Sequence, residues 1–368
     1  MPLRSLRLGL ACLVLAGGLG IGLSAIPAGA TGPTVSSNTS SGKAYTPKSV
    51  NGATDDYHCT LLDPHITHGQ FIVSSQFFPN SPEVHHAILS LVPPSMAKRA
   101  HEADQHGKGW TCFGESALPG IGSGNPFLNT GWLTVWVPGQ KLDPEPIGTG
   151  MLIPAGSLLI EQIHYNLLKG DKPVKAAVKL NTVPASAHLK ALAIQIQPAA
   201  PDVPCPTGVT GPLCDRTAAL ADLAHRFGPG ALIESQAIEA ICGRDPLNPP
   251  VGVTTTCVQN AAAGTKILRI TPHMHLTGAG MTVTLNPGTP QAKTLVDVKH
   301  YNFDDQRYYN LKTPVVTHAG DKIGVTCTYD PKLRQELPQL RKQPARFVIW
   351  GDGSSDEMCL SIIQSVKA

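Results

Sequence analysis

Past residue 55 the chain alternates short apolar stretches, rich in β-branched residues, with clusters of Gly, Pro, Asn and Asp. The stretches at 70–78, 133–137, 158–164, 176–180, 192–197, 266–270, 281–285, 322–329 and 346–350 are bounded by turn residues, and each predicts a β-strand. With no regular alternation of helical segments between them, they predict an all-β protein of antiparallel jelly-roll sandwiches. One stretch has a different period. Leu220, Leu223, Ala224 and Phe227 recur at helical spacing until Gly228 and Pro229 break the pattern, which predicts one short helix over 216–227 inside a long inserted loop at 201–253. A break at 184–188 divides the rest, so domains are expected at 55–186 and 187–368.

The N-terminus adds a compartment. Arg4 and Arg7 precede an apolar run from Leu8 to Ile26 and the small residues Ala28, Gly29 and Ala30, the layout of a secretory signal (1–30) cleaved after Ala30. Glycines interrupt the run, which disfavours a permanent anchor, and no later stretch is apolar for long enough to span a bilayer. Residues 31–54 are Ser, Thr, Gly and Asn with few large apolar side chains, a composition that predicts a disordered leader. A net charge of +3 without a basic stripe gives no electrostatic reason to expect nucleic acid or an anionic membrane as partner. Cys12 leaves with the signal, and the even remainder predicts disulfides in an extracytoplasmic protein, either secreted or periplasmic.

Histidine carries the candidate chemistry. Most of the 14 histidines stand singly among polar residues, as do His58, His68, His101, His106 and His225, and read as surface. His273 and His275 differ, because residues two apart on a strand share a face and can offer two imidazoles to one metal ion. Taken alone, such a pair is as often chance as ligand. The neighbours His85 and His86 point to opposite faces of a regular strand and bind one ion together only where the chain bulges. His164 sits in a strand where core packing also accommodates it. Met358 lies in the polar stretch 351–359; its thioether is either packing or a soft ligand suited to Cu(I). Asp304, Asp305, Asp352, Asp356 and Glu357 can supply an acid pair, although loop carboxylates are usually solvated. Phosphate-loop, dinucleotide, G-x-S-x-G and H-E-x-x-H patterns are absent from the sequence, which removes the function classes they mark.

Taken in order, His85-His86, Gln162-Ile163-His164-Tyr165, His273-Met274-His275 and Glu357-Met358-Cys359 resemble the ligand motifs of the copper type II, ascorbate-dependent monooxygenases. This is the family of peptidylglycine α-hydroxylating monooxygenase and dopamine β-monooxygenase. The resemblance runs from about Tyr57 to the C-terminus. It implies two copper ions at separate sites facing each other across an open cleft between two jelly-roll domains. His85, His86 and His164 would hold the electron-storing ion, with Gln162 supporting from behind. His273, His275 and Met358 would hold the oxygen-activating ion and be the catalytic set. The implied reaction is hydroxylation of a C–H bond of a small organic substrate by O2, with ascorbate or another one-electron donor as reductant. Leu276-Thr277-Gly278 looks closer to the dopamine-type branch. Thr271, Leu360 and Ile362 stand where peptide-amidating members carry Arg, Asn and Tyr, which argues against a glycine-extended peptide as substrate.

The resemblance also pairs Cys327 with Cys359. Proximity suggests Cys205 with Cys214, leaving Cys59 with Cys112 and Cys242 with Cys257, a pairing the sequence does not fix. The alternative function is an exported copper-binding or electron-transfer protein on the same scaffold without turnover. A copper store has no need of two chemically different ligand sets, so the enzyme is the stronger expectation. Substrate identity, reductant and oligomeric state are not written in the sequence.

Overall fold

Antiparallel pairing of the apolar stretches accounts for most of the structure, a computed structural model that describes residues 33–112, 118 and 131–368. The signal segment expected at 1–30 lies outside the described residues. A five-stranded sheet runs in the order Trp110–Thr111, Asp55–Leu62, Leu158–Asn166, Val84–Val92, Trp132–Trp136. It faces one half of a nine-stranded sheet, made of Ser36–Ser40, Ala177–Pro184, Gln70–Phe78 and Thr149–Ile153, with Leu142–Pro144 on the side of Gln70–Phe78. The other half continues through Lys190–Pro198, Cys359–Lys367, Thr265–Met274 and Tyr309–Val316. That half faces a four-stranded sheet of Thr254–Asn260, Lys322–Tyr329, Gly278–Leu285 and Lys293–Val298.

The two halves of the long sheet meet at a short parallel pairing, Lys190 with Thr149 and Ala191 with Gly150. Strand alternation then divides the side chains of Cys359–Lys367 between two cores. Leu360 and Ile362 join the cluster containing Ile72, Ile88, Ile153 and Leu159. Cys359 and Ile363 join the cluster of Ile267, Ile270, Val283 and Val325. The mostly-β, sandwich-like architecture is the one the turn-bounded apolar stretches predict.

Two expectations are corrected. The insert holds two helices, Arg216–Phe227 and Pro229–Ile241. Asp215 caps the first by accepting from the Ala218 amide at 2.8 Å, and Gly228 at φ 87° ends it. Pro229 then opens the second, because a proline at the first helical position loses no hydrogen bond and already has a helical φ. Likewise the leader expected at 31–54 is ordered where it is described. Ser36–Ser40 adds an edge strand to Ala177–Pro184, and Tyr45 bridges Val174. An exposed sheet edge offers backbone hydrogen bonds that require no apolar side chains, so composition alone does not reveal such a strand.

The structure contains the disulfides Cys59–Cys112, Cys205–Cys214, Cys242–Cys257 and Cys327–Cys359. Four bridges indicate an oxidising, extracellular compartment. Cys327–Cys359 joins the two facing sheets of the second sandwich, and Cys242–Cys257 fastens the end of the insert to it.

The first insert helix is clamped from within. Both oxygens of buried Asp356 accept from Arg226, at 2.7 and 2.8 Å, and Oδ1 also accepts from Arg346 at 2.9 Å. Burial opposes the charge on Asp356, but the two guanidiniums outweigh it and hold the carboxyl down at about 2. A carboxyl depressed in the folded state adds stability above its unfolded pKa, and this is lost as pH falls toward the folded value. The clamp should therefore weaken between about pH 4 and pH 2. Asp356→Asn, which leaves the guanidiniums of Arg226 and Arg346 to share Asp222, should lower stability by about 1.5–3 kcal/mol in urea unfolding at pH 7. A loss under ~1 kcal/mol would mean the clamp contributes no more than a surface pair.

Candidate metal centre

The metal-binding potential arises where three strands bring imidazoles to one point. The ladder between Val84–Val92 and Leu158–Asn166 shifts register between Val84 and His86. This irregularity lets two consecutive histidines, His85 and His86, approach the same cluster. His86 lies directly opposite His164 in the ladder, and their Nδ1 atoms are 3.3 Å apart. From the second sandwich, Thr265–Met274 brings in His273 at its end, with His275 just beyond, ring centroids 5.4 Å apart.

All five imidazoles are buried, and they converge. His85 lies 5.9 Å from His275 and 6.1 Å from His273 by ring centroid, and His86 lies 5.6 Å from His273. Two triads have ligand atoms within 4.8 Å of one another, His85, His86 and His164, and His85, His273 and His275. The resemblance led us to expect two sites across an open cleft; here the two ligand groups meet in one buried cluster, with His85 common to both triads. The physical reason is the register shift, which turns His85 toward the second sandwich.

Each ring is oriented by a neighbour. His164 Nε2 donates to Asp55 Oδ1 at 2.8 Å, with both side chains fully buried. Burial opposes ionisation of Asp55, but the hydrogen bonds from His164 and Ser354 prevail and keep it charged. The imidazole that donates through Nε2 has its Nδ1 lone pair directed at the cluster. Tyr57 stacks on His164 at 4.1 Å and Phe303 on His85 at 4.1 Å. His273 Nδ1 donates to Gln306 Oε1 at 2.8 Å, and Gln306 is held by the Phe303 carbonyl. Glu357 accepts from the amides of His275 and Thr277, fixing the turn after the histidine pair.

Four of the rings are neutral. Burial, with the neighbouring imidazoles adding to it, pushes His85 and His86 well below the usual histidine range. Burial likewise brings His273 down to about 4 and His275 to about 3. Neutral rings have the lone pairs that a metal ion requires. His85 Nε2 and both ring nitrogens of His275 are buried with no hydrogen-bond partner among the described residues. Leaving such atoms unsatisfied is costly. A metal ion favouring nitrogen donors removes that cost, so the residues present fit copper.

Met358 is buried and lines a cavity of about 260 Å³ together with His86 and His273. Most of the remaining wall is apolar, including Ile88, Val135, Ile196, Leu360 and Ile362. Gln162 lies further along the same strand as His164, where its amide approaches Cys112 Sγ at 3.8 Å. The residues contacting the histidines that the sequence did not reveal are Asp55, Tyr57, Phe303 and Gln306. Asp55 is 109 residues from the histidine it orients, and no local pattern marks such a partner.

Fold and site together define a β-sandwich protein with a buried imidazole cluster that could hold a metal ion. Residues 246–365, which carry His273, His275 and Met358, match the copper type II ascorbate-dependent monooxygenase C-terminal domain. Among solved structures, an allantoicase overlaps at 11% identity over 84% of this chain and 81% of its own, with a TM-score of 0.18. The allantoicase of Saccharomyces cerevisiae gives 8%, 86%, 80% and 0.18. The Macrobrachium rosenbergii nodavirus structure gives 9%, 97%, 96% and 0.17. Superpositions this loose carry no argument.

Two outcomes follow from the geometry. Asp55→Asn removes the carboxylate behind His164 and should weaken copper binding about 10–100-fold in chelator competition, while circular dichroism stays unchanged. Unaltered affinity would show that His164 is not a ligand. In the copper-free protein, histidines with depressed folded pKa values exclude protons that the unfolded chain binds below about 6.5. Stability should therefore fall as pH drops from about 6.5 toward 4. A urea midpoint that is flat across that window would contradict burial of the neutral rings.

Proposed function

We propose that this protein is a secreted, copper-dependent monooxygenase that hydroxylates a C–H bond of a compact organic substrate, using O2 and an external one-electron donor such as ascorbate. The observation that carries the reading is the convergence of five buried imidazoles beside an apolar cavity that also takes Met358. His85, His86 and His164, from the 55–186 half, would hold one ion. His273, His275 and Met358, from the 187–368 half, would hold the other. Copper, when bound, supplies one-electron redox chemistry and oxygen activation, and a thioether donor favours its reduced state.

The chain's own residues do the rest. Asp55 and Gln306 fix the tautomers of His164 and His273. Tyr57 and Phe303 cover ring faces and keep water from the cluster. Ile88, Val135, Leu360 and Ile362 give the cavity an apolar wall beside His273 and Met358, where a hydrocarbon segment displaces water at a gain. The wall also bears on the substrate. Thr271 is buried, and Arg269 is committed to Asp143, the Pro144 carbonyl and Asn310. Arg269 is thus not available to hold a peptide carboxylate, which supports a substrate other than a glycine-extended peptide.

The test compares wild type with Met358→Leu after copper loading. Wild type should bind two ions per chain and consume O2 with ascorbate in the presence of substrate. Met358→Leu conserves volume and should change stability by less than ~1.5 kcal/mol, yet lose nearly all turnover while the copper held by His85, His86 and His164 remains. Unchanged turnover in the variant, with no copper–sulfur signal in the wild type by X-ray absorption, would overturn the reading. Two bound ions with no O2 consumption would favour the electron-transfer alternative.

A further inference from the structure

The proposed chemistry uses the apolar wall, the histidines and Met358, and leaves the helical insert without a role. The second insert helix, Pro229–Ile241, sends one side chain into the cavity that His273 and Met358 line, and that side chain is the carboxylate Glu234. Its position is fixed from several directions. Ile238, one turn on, is fully buried in the same core cluster as Trp350, Met358 and Leu360. The Cys242–Cys257 bridge holds the helix end, and the Arg226–Asp356 clamp holds the preceding helix. Trp350 Nε1 donates to Glu234 Oε1 at 3.3 Å.

A carboxylate has about four acceptor positions, so the indole occupies only part of the capacity of Glu234, which lines the cavity. A carboxylate on a wall of isoleucine, valine and leucine costs stability unless a donor meets it, and burial indeed raises its pKa above the usual range. Stability alone gives no reason to carry a group with that cost on an inserted helix. Recognition of a ligand does, because a site built to hydrogen-bond a ligand's donor rejects an analogue that lacks it far more strongly than an apolar pocket can.

We propose that Glu234 is the specificity-determining residue of this cavity, and that it selects a compact, largely apolar molecule bearing one N–H or O–H donor. The donor sits on Glu234, and the apolar body extends toward His273 and Met358. The inference rests on the cavity's being the substrate site of the proposed monooxygenase, but its test needs no metal. The cavity volume of about 260 Å³ limits the ligand to the size of a small ring compound.

The probes are toluene, benzyl alcohol and benzylamine, titrated into the copper-free full chain. Tryptophan fluorescence reports occupancy, because Trp132 and Trp350 line the cavity. In wild type at least one donor-bearing probe should bind about tenfold or more tighter than toluene. Glu234→Leu should abolish that preference. Glu234→Gln keeps the size and an acceptor oxygen, so it should retain the alcohol if the natural donor is neutral and lose the amine if it is a cation. Thermal melts of both variants check the fold. Equal affinities for all three probes in wild type, no binding of any probe, or a preference that survives in Glu234→Leu would each overturn the proposal. Failure of copper loading or of O2 consumption would instead strike the monooxygenase reading and leave these affinities interpretable.

Discussion

Burying five imidazoles at one point is the constraint on which the rest of the structure depends. A buried imidazole without a hydrogen-bond partner is a liability. The fold answers with second neighbours on the rings it can reach: Asp55 for His164, Gln306 for His273, and aromatic faces over His164 and His85. It leaves His85 Nε2 and both nitrogens of His275 unmatched. These are the atoms a metal ion would complete, so the cost of leaving them unmatched would be recovered on metal binding.

Holding the cluster sets demands on distant parts of the chain. The register shift before His86 is needed to turn two adjacent histidines inward, and the strand Cys359–Lys367 has to share its side chains between two cores to keep Met358 beside them. The stretch leading into that strand is anchored by Asp356 on Arg226 and Arg346, which ties it to the inserted helices. The insert therefore both braces the methionine loop and contributes Glu234 to the cavity wall. A single set of contacts links scaffold stability and site geometry.

Much of this was legible in the sequence, for local reasons. The apolar stretches at 70–78 and 322–329 coincide with observed strands, and the helical period over 216–227 coincides with the first insert helix. The histidines that meet in the cluster were legible as ordered motifs, and only the resemblance made them more than chance pairs. What was not legible depends on pairing between remote segments. The edge strand Ser36–Ser40 is held by backbone bonds to Ala177–Pro184, which composition does not encode. The second insert helix starts at a proline that equally marks a stop. Asp55, Gln306 and Glu234 lie in unremarkable local contexts and acquire meaning only where the fold brings them to the cluster or the cavity. The meeting of the two histidine sets follows from one register shift in a ladder, and a linear motif contains no trace of it.

We propose that this cluster is a copper centre with two distinct ligand sets. Diffraction from copper-loaded crystals, collected on both sides of the copper absorption edge, tests it most directly. Two anomalous peaks are expected within the cluster, one bounded by His85, His86 and His164, the other by His273, His275 and Met358 Sδ. No copper peak among these histidines, or a single ion enclosed by imidazoles with Met358 turned away, would contradict it.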